Sequence, residues 1–216
     1  MAALKVGVLI SGRGSNLQAL LDAAAAAPYP AKIVTVISNR ADAPGLDRAR
    51  RALVPAETLP HRAYPDREAF DRALDAALAK HGVEFVCLAG FMRLLTPWFV
   101  DRWRDRLINI HPSLLPAFKG LGPQAQALAA GVRVSGCTVH FVRNDVDSGP
   151  IILQAAVPVI DGDNPDTLAA RILEAEHRAY PLALRLIAEG RVRVEGERVA
   201  VAGIGASGIL MSPGGR

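Results

Sequence analysis

The chain has 216 residues, half of them hydrophobic and 21% charged, a balance that can bury a substantial core and excludes the low-hydrophobicity, high-charge signature of a disordered segment. Its formal charge of +4 comes from 25 basic residues scattered among 21 acidic ones, which supports at most a mild bias toward anionic substrates. Aromatics make up 5% of the chain and are not interleaved with a basic run, so nucleic acid is set aside as a partner.

The chain opens in an apolar run over 6–10, without the basic region, apolar stretch and cleavage site of a signal peptide. That run predicts a strand, the loop Ser11-Gly12-Arg13-Gly14-Ser15-Asn16 follows, and a helical pattern runs over 17–27. A β-branched run over 33–37 predicts a second strand ending in Ser38-Asn39, and 44–51 reads as a short helix. A weak third strand falls within 53–59, and Phe70, Ala73, Leu74, Ala77 and Leu78 are spaced for a helix over 66–80. Residues 84–89 and 107–110 return to buried strands. This alternation predicts a doubly wound, mostly parallel α/β sheet with helices on both faces. Two further runs, 136–142 and 150–159, are joined by turn-rich residues and predict an antiparallel pair near the C-terminus. A long helix follows over 165–189. One domain is expected over 1–202, with the Gly- and Ser-rich 203–216 as a mobile tail. Cys87 and Cys137 sit in apolar contexts with no Cys-x-x-Cys spacing, which reads as reduced core residues of a cytoplasmic protein. No stretch approaches the ~20 apolar residues of a membrane span.

Three places can carry chemistry. The 11–16 loop stands between a strand and a helix, where backbone N–H groups and the helix dipole receive an anion. A dinucleotide fingerprint would need glycine at Leu17 and an acid near Ser38-Asn39, and a P-loop would need a lysine, so a monophosphate site remains. An ordinary turn capped by Ser15 or Asn16 is the competing reading. Asn109 and His111 alternate onto one face at the end of a strand, where an amide donor beside an imidazole suits a developing oxyanion. A core histidine satisfied by a carbonyl is the alternative. Asp147 can orient an imidazole only if the fold brings it to His111, and Asp-Ser-Gly is otherwise a common turn. His140 alternates within its strand and can face either way, and His177 reads as a helix-surface residue. The five histidines never pair at a metal-ligand spacing, so a metal-free site is expected.

Together, Ser11 to Leu17, Leu88-Ala89-Gly90-Phe91-Met92-Arg93, the stretch Asn109-Ile110-His111-Pro112-Ser113-Leu114-Leu115-Pro116 and Asp147-Ser148-Gly149-Pro150-Ile151 resemble the phosphoribosylglycinamide formyltransferases of the folate-dependent formyltransferase family. The resemblance runs from Lys5 to Gly190. It implies a formyltransferase-like Rossmann variant whose N-terminal half binds nucleotide phosphate and whose C-terminal half binds folate and reacts. Asn109, His111 and Asp147 then match catalytic positions. Arg13, Gly14, Ser15 and Asn16 match the phosphate site of the ribonucleotide, and Glu176 matches a position that holds its ribose. Phe91, Met92, Arg93, Leu94, Leu95, Leu107 and Val142 match the folate pocket, with Arg143, Asn144 and Asp145 in a 143–147 loop that closes on the pterin. The implied reaction moves the formyl group of 10-formyltetrahydrofolate directly to the amine of glycinamide ribonucleotide in purine biosynthesis, by a monomer or homodimer that needs neither membrane nor metal. One departure is that Gly120-Leu121-Gly122-Pro123-Gln124 lies where relatives often carry histidines. A formyltetrahydrofolate hydrolase would share Asn109, His111 and Asp147 but usually adds an N-terminal regulatory domain, whereas this chain begins at its first strand. A tRNA-directed formyltransferase would need a further domain after Gly190, and a non-catalytic folate- or nucleotide-binding module would not need the three reactive residues.

Overall fold

The computed structural model describes residues 2–203, so the expected tail lies, from 204 onward, outside the described residues. The apolar runs become the strands β1 (Leu4–Ile10), β2 (Ala31–Ser38), β3 (Ala56–Thr58), β4 (Phe85–Leu88) and β5 (Leu107–His111), all parallel, followed by β6 (Val134–Phe141) and β7 (Ile151–Pro158). The seven lie in the order β3-β2-β1-β4-β5-β6-β7, with β6 antiparallel to both neighbours. β3 is only three residues long, since Pro55 interrupts the apolar residues over 53–59 and has no N–H to extend the ladder.

Both faces of the sheet are covered, which is why the central strands are apolar without interruption. Within β1, Val8 and Ile10 enter one core and Leu9 the opposite one, all fully buried. The first core takes Leu17 and Leu20 of α1 (Ser15–Ala25), Leu46 of α2 (Gly45–Arg51) and Ile172, Tyr180 and Leu184 of the long α6 (Pro165–Ala188). The second takes Phe70 and Leu74 of α3 (Arg67–Lys80) and Phe99 of α4 (Pro97–Arg102). Caps begin the longer helices. Asp66 accepts the Ala69 N–H, and Asn164 and Thr167 form a reciprocal capping box at α6.

Besides a single 3-10 turn at His61–Ala63, the elements outside the sequence expectation are α4, α5 (Pro123–Ala129) and a separate antiparallel hairpin of β8 (Val192–Glu195) and β9 (Arg198–Val201). The helices α4 and α5 have six and seven residues, too few for an apolar period to repeat; each carries proline in its first turn, and α4 alone adds a side-chain cap, Thr96, which accepts the Phe99 N–H. The hairpin strands have four residues each and bury neither face fully.

After β1 the chain steps outward through β2 to β3, then returns to pair β4 on the other side of β1. The carboxyl ends of β1 and β4 therefore flank a topological switch point, the place where open α/β sheets bind ligands. Ser11 ties the two crossovers together there: its N–H donates to the Gly90 carbonyl at 3.0 Å, and its hydroxyl donates to Asn39 at 2.6 Å and accepts the Met92 N–H at 2.8 Å.

Candidate active site

The 11–16 loop turns sharply into α1. Gly14 is the N-cap at φ 70°, so neither Ser15 nor Asn16 is the cap, and no side chain covers the N–H groups of the first turn. A Cβ on Gly14 would lie 2.8 Å from the Gly45 Cα, and the Gly45 N–H donates to the Gly12 carbonyl at 3.0 Å. Glycine is required at 14 by the left-handed backbone and by the close approach of α2. Gly12, by contrast, faces open space. Arg48 braces the loop by donating to the Arg13 carbonyl at 2.9 Å.

Asn16 turns from the helix start toward α6, where its amide donates to Glu176 Oε2 at 2.8 Å. Glu176 is 6% exposed. Burial pushes its carboxyl up to about 7, with the Asn16 bond pulling the other way. His177 beside it is partly buried rather than on the helix surface, and burial followed by the Arg48 charge pushes its ring down. Asn16 Oδ1 and His177 Nε2 are buried without a hydrogen-bond partner, which marks this corner as one built to receive polar groups.

The second cluster stands at the end of β5. Asn109 and His111 face β6, opposite His140 and Thr138. The Thr138 hydroxyl donates to the Ser113 carbonyl at 2.7 Å and accepts the Leu115 N–H at 3.0 Å, which fixes the chain leaving His111. The fold brings Asp147 to His111, with Nδ1 3.3 Å from Asp147 Oδ2. The other ring nitrogen bonds the Phe118 carbonyl at 2.9 Å, and the Gly120 N–H donates to the same Asp147 oxygen at 2.8 Å. The loop that lacks histidines thus grips both residues through its backbone. Asp147 is held at φ 46°, a left-handed conformation that an aspartate tolerates better than most residues.

His140, left open by its sequence pattern, belongs to this cluster. Its Nδ1 lies 2.9 Å from the Phe141 carbonyl and 3.1 Å from the Ser148 carbonyl, so that nitrogen carries the proton. Its Nε2 is then an acceptor, 3.4 Å from the Asn109 amide nitrogen. Burial pushes the His140 ring down, which keeps it neutral and suited to that role. The pairing that places His140 directly opposite Asn109 joins β6 to β5, whereas the sequence pattern points only to a pairing of 136–142 with 150–159, so nothing in the sequence marks this contact.

A cavity of about 140 Å³ opens beside Asn109 and Asp147. Its walls include Phe91, Arg93, Leu94, Leu95, Val142, Arg143, Asn144 and Asp145 of the expected folate residues, together with Leu88, Val100, His140, Val146 and Ser148. Met92 and Leu107 do not line it: Met92 is 74% exposed and Leu107 is packed in the second core. Arg93 lies over the Phe70 ring at 4.9 Å, and its Nε is buried without a partner. Among the described residues, no group of three or more His, Cys, Asp or Glu side chains is placed to hold a metal ion, and no helix is long and apolar enough to cross a membrane. Burial pushes the free thiols of Cys87 and Cys137 up to about 12, which makes both poor nucleophiles.

Residues 4–184 match the Formyl transferase family. The chain belongs to the formyl transferase family. Within it, the chain is 47% identical over 191 residues to the phosphoribosylglycinamide formyltransferase of Escherichia coli, covering 88% of this chain and 90% of that protein. It is 53% identical over 190 residues to the trifunctional purine biosynthetic protein adenosine-3 of Bos taurus, covering 88% of this chain but spanning only 19% of that relative's length. The glycinamide ribonucleotide transformylase 1 of Symbiobacterium toebii superposes with a TM-score of 0.90 at 56% identity, covering 92% of this chain and 94% of that one. The mostly parallel sheet with its antiparallel C-terminal pair is therefore the formyl transferase fold.

Proposed function

We propose that the chain transfers the formyl group of 10-formyltetrahydrofolate to the amine of glycinamide ribonucleotide, releasing tetrahydrofolate and formylglycinamide ribonucleotide. It acts as one domain over 1–202, in the cytoplasm, as a monomer or homodimer and without a metal ion. The observation that carries this reading is that Asn109 and Asp147 line a cavity, with His111 held behind them against Asp147, on the same sheet edge as a helix start that no side chain caps.

The N–H groups at the start of α1 hold the ribonucleotide phosphate, and Asn16 and Glu176 meet its ribose. The cavity lined by 142–148 holds the pterin, with N10 and its formyl group beside Asn109, a reading supported by Asn109 lying in the same wall. The neutral amine attacks the formyl carbon and the carbonyl oxygen gains charge. One N–H of the Asn109 amide is directed to His140, leaving the second to meet that oxygen. His111 reaches it through Nε2 by exchanging the Phe118 carbonyl for the oxyanion, while Asp147 holds Nδ1. As the tetrahedral species collapses, the C–N10 bond breaks, N10 takes up a proton and the amine loses one, with Asp147 accepting it through water.

Pure protein mixed with 10-formyltetrahydrofolate and followed by folate absorbance tests the reading. Turnover only when glycinamide ribonucleotide is present is expected. Turnover without it would make the chain a hydrolase, and turnover under neither condition would make it a binding module.

A further inference from the structure

Arg143 opens the loop that leads to Asp147 and contributes to the cavity wall, yet its guanidinium is engaged by protein on every side. Nη2 donates to Asp105 Oδ1 at 2.8 Å, Nε donates to both oxygens of Glu197 at 3.2 and 3.3 Å, and Nη1 donates to the Val142 carbonyl at 3.2 Å. The side chain is only 10% exposed. Asp105 sits in the turn between α4 and β5, at φ 57°, and Glu197 sits in the turn of the β8–β9 hairpin, with Arg104 Nη2 also 3.5 Å away. The far end of the loop closes on the same side chain, because a Cβ on Gly149 would lie 2.9 Å from Arg143 Cγ. Between these ends Asn144, Asp145 and Val146 are exposed.

We propose that Arg143 is a positioning residue rather than a ligand, and that the C-terminal hairpin, through Glu197 and together with Asp105, clamps the 143–148 loop in the shape that receives the folate. An ion pair between exposed, flexible side chains contributes little because water screens it and holding it costs entropy. Here the cation is planar and only 10% exposed and meets two more exposed carboxylates from different elements, so it fixes direction as well as charge. The hairpin has no residue at the reacting atoms, and its contact with Arg143 gives it a reason to be folded against the site. The inference rests on the reading of 143–148 as the folate wall.

The test uses the full chain and the variants Glu197→Ala, Arg143→Ala and the double variant. Glu197 is 61% exposed, so its truncation leaves both cores intact, and a melting curve verifies this. Glu197→Ala is expected to raise KM for 10-formyltetrahydrofolate about fivefold, leave KM for glycinamide ribonucleotide unchanged, and have no further effect in the Arg143→Ala background. Without any substrate, amide exchange over 143–148 is expected to accelerate in Glu197→Ala. An unchanged folate KM in an active enzyme, or effects of the two single changes that simply add, would overturn the clamp. If the parent transfers no formyl group, the functional reading fails instead, and the exchange measurement then decides the clamp alone: unaltered exchange over 143–148 overturns it.

Discussion

Asp147 and Asp145 are two residues apart in one loop, and only Asp147 is held in the cluster, by His111 Nδ1 and the Gly120 N–H. Asp147→Asn retains an oxygen to accept the Gly120 N–H, so the loop keeps its anchor while losing the charge beside His111. Turnover is expected to fall by about 10²-fold or more, with both ligand affinities preserved, because a positioned proton-transfer group is worth about that much. Asp145→Asn removes the same charge from an exposed side chain and should leave turnover close to that of the parent. Steady-state kinetics of the pair decide it, and equal losses in both variants would demote Asp147 to a turn residue. Local pattern could not reveal this contact, because 36 positions separate the partners and the two antiparallel strands bring them together. His140 was ambiguous for the same reason: alternation gives a strand two faces but not which one meets Asn109.

At the scale of elements, the strands and long helices were legible because each carries its own period, and the loop between β1 and α1 was legible as a candidate anion site. The short α4 and α5 and the β8–β9 hairpin were not, since their form is set by packing on larger elements. The loop's glycines divide into two roles that sequence alone does not separate. A side chain on Gly14 would strain a left-handed N-cap and push on Gly45, so Gly14→Val disturbs folding first. Gly12 has no such constraint, and Gly12→Val puts bulk into the open space in front of the helix start. That change should weaken glycinamide ribonucleotide binding at least about tenfold while leaving folate binding and the melting temperature unchanged. Calorimetry with each ligand checks this, and a comparable loss for the folate would remove the phosphate from this loop.

The two halves of the molecule meet through α6, which no local signal in the sequence could place. Its Tyr180 hydroxyl lies 2.9 Å from the Leu88 carbonyl and 3.3 Å from the Ile108 carbonyl, joining the helix to β4 and β5, and one turn earlier Glu176 reaches Asn16 across 160 positions of sequence. Burying Glu176 makes the stability of the whole protein depend on pH. Its carboxyl is pushed from the usual 4.5 up to about 7, so the folded state holds a proton that the unfolded chain has released. The contribution is fully present below pH ~4.5 and is lost as pH rises through about 7, a change on the order of 3 kcal/mol. His140 and His177 are pushed down by burial and act in the opposite direction below their ordinary 6.5, so the parent's curve alone mixes the effects. Glu176→Gln preserves an oxygen for the Asn16 amide and removes only the titration. The difference in denaturant-unfolding free energy between this variant and the parent cancels the histidines, because they are common to both. The variant is expected to gain on the parent between pH 5 and pH 7 and to level off above that range. A difference that stays constant across that range would mean that Glu176 ionises as a solvated carboxylate and that the Asn16 corner is open to water.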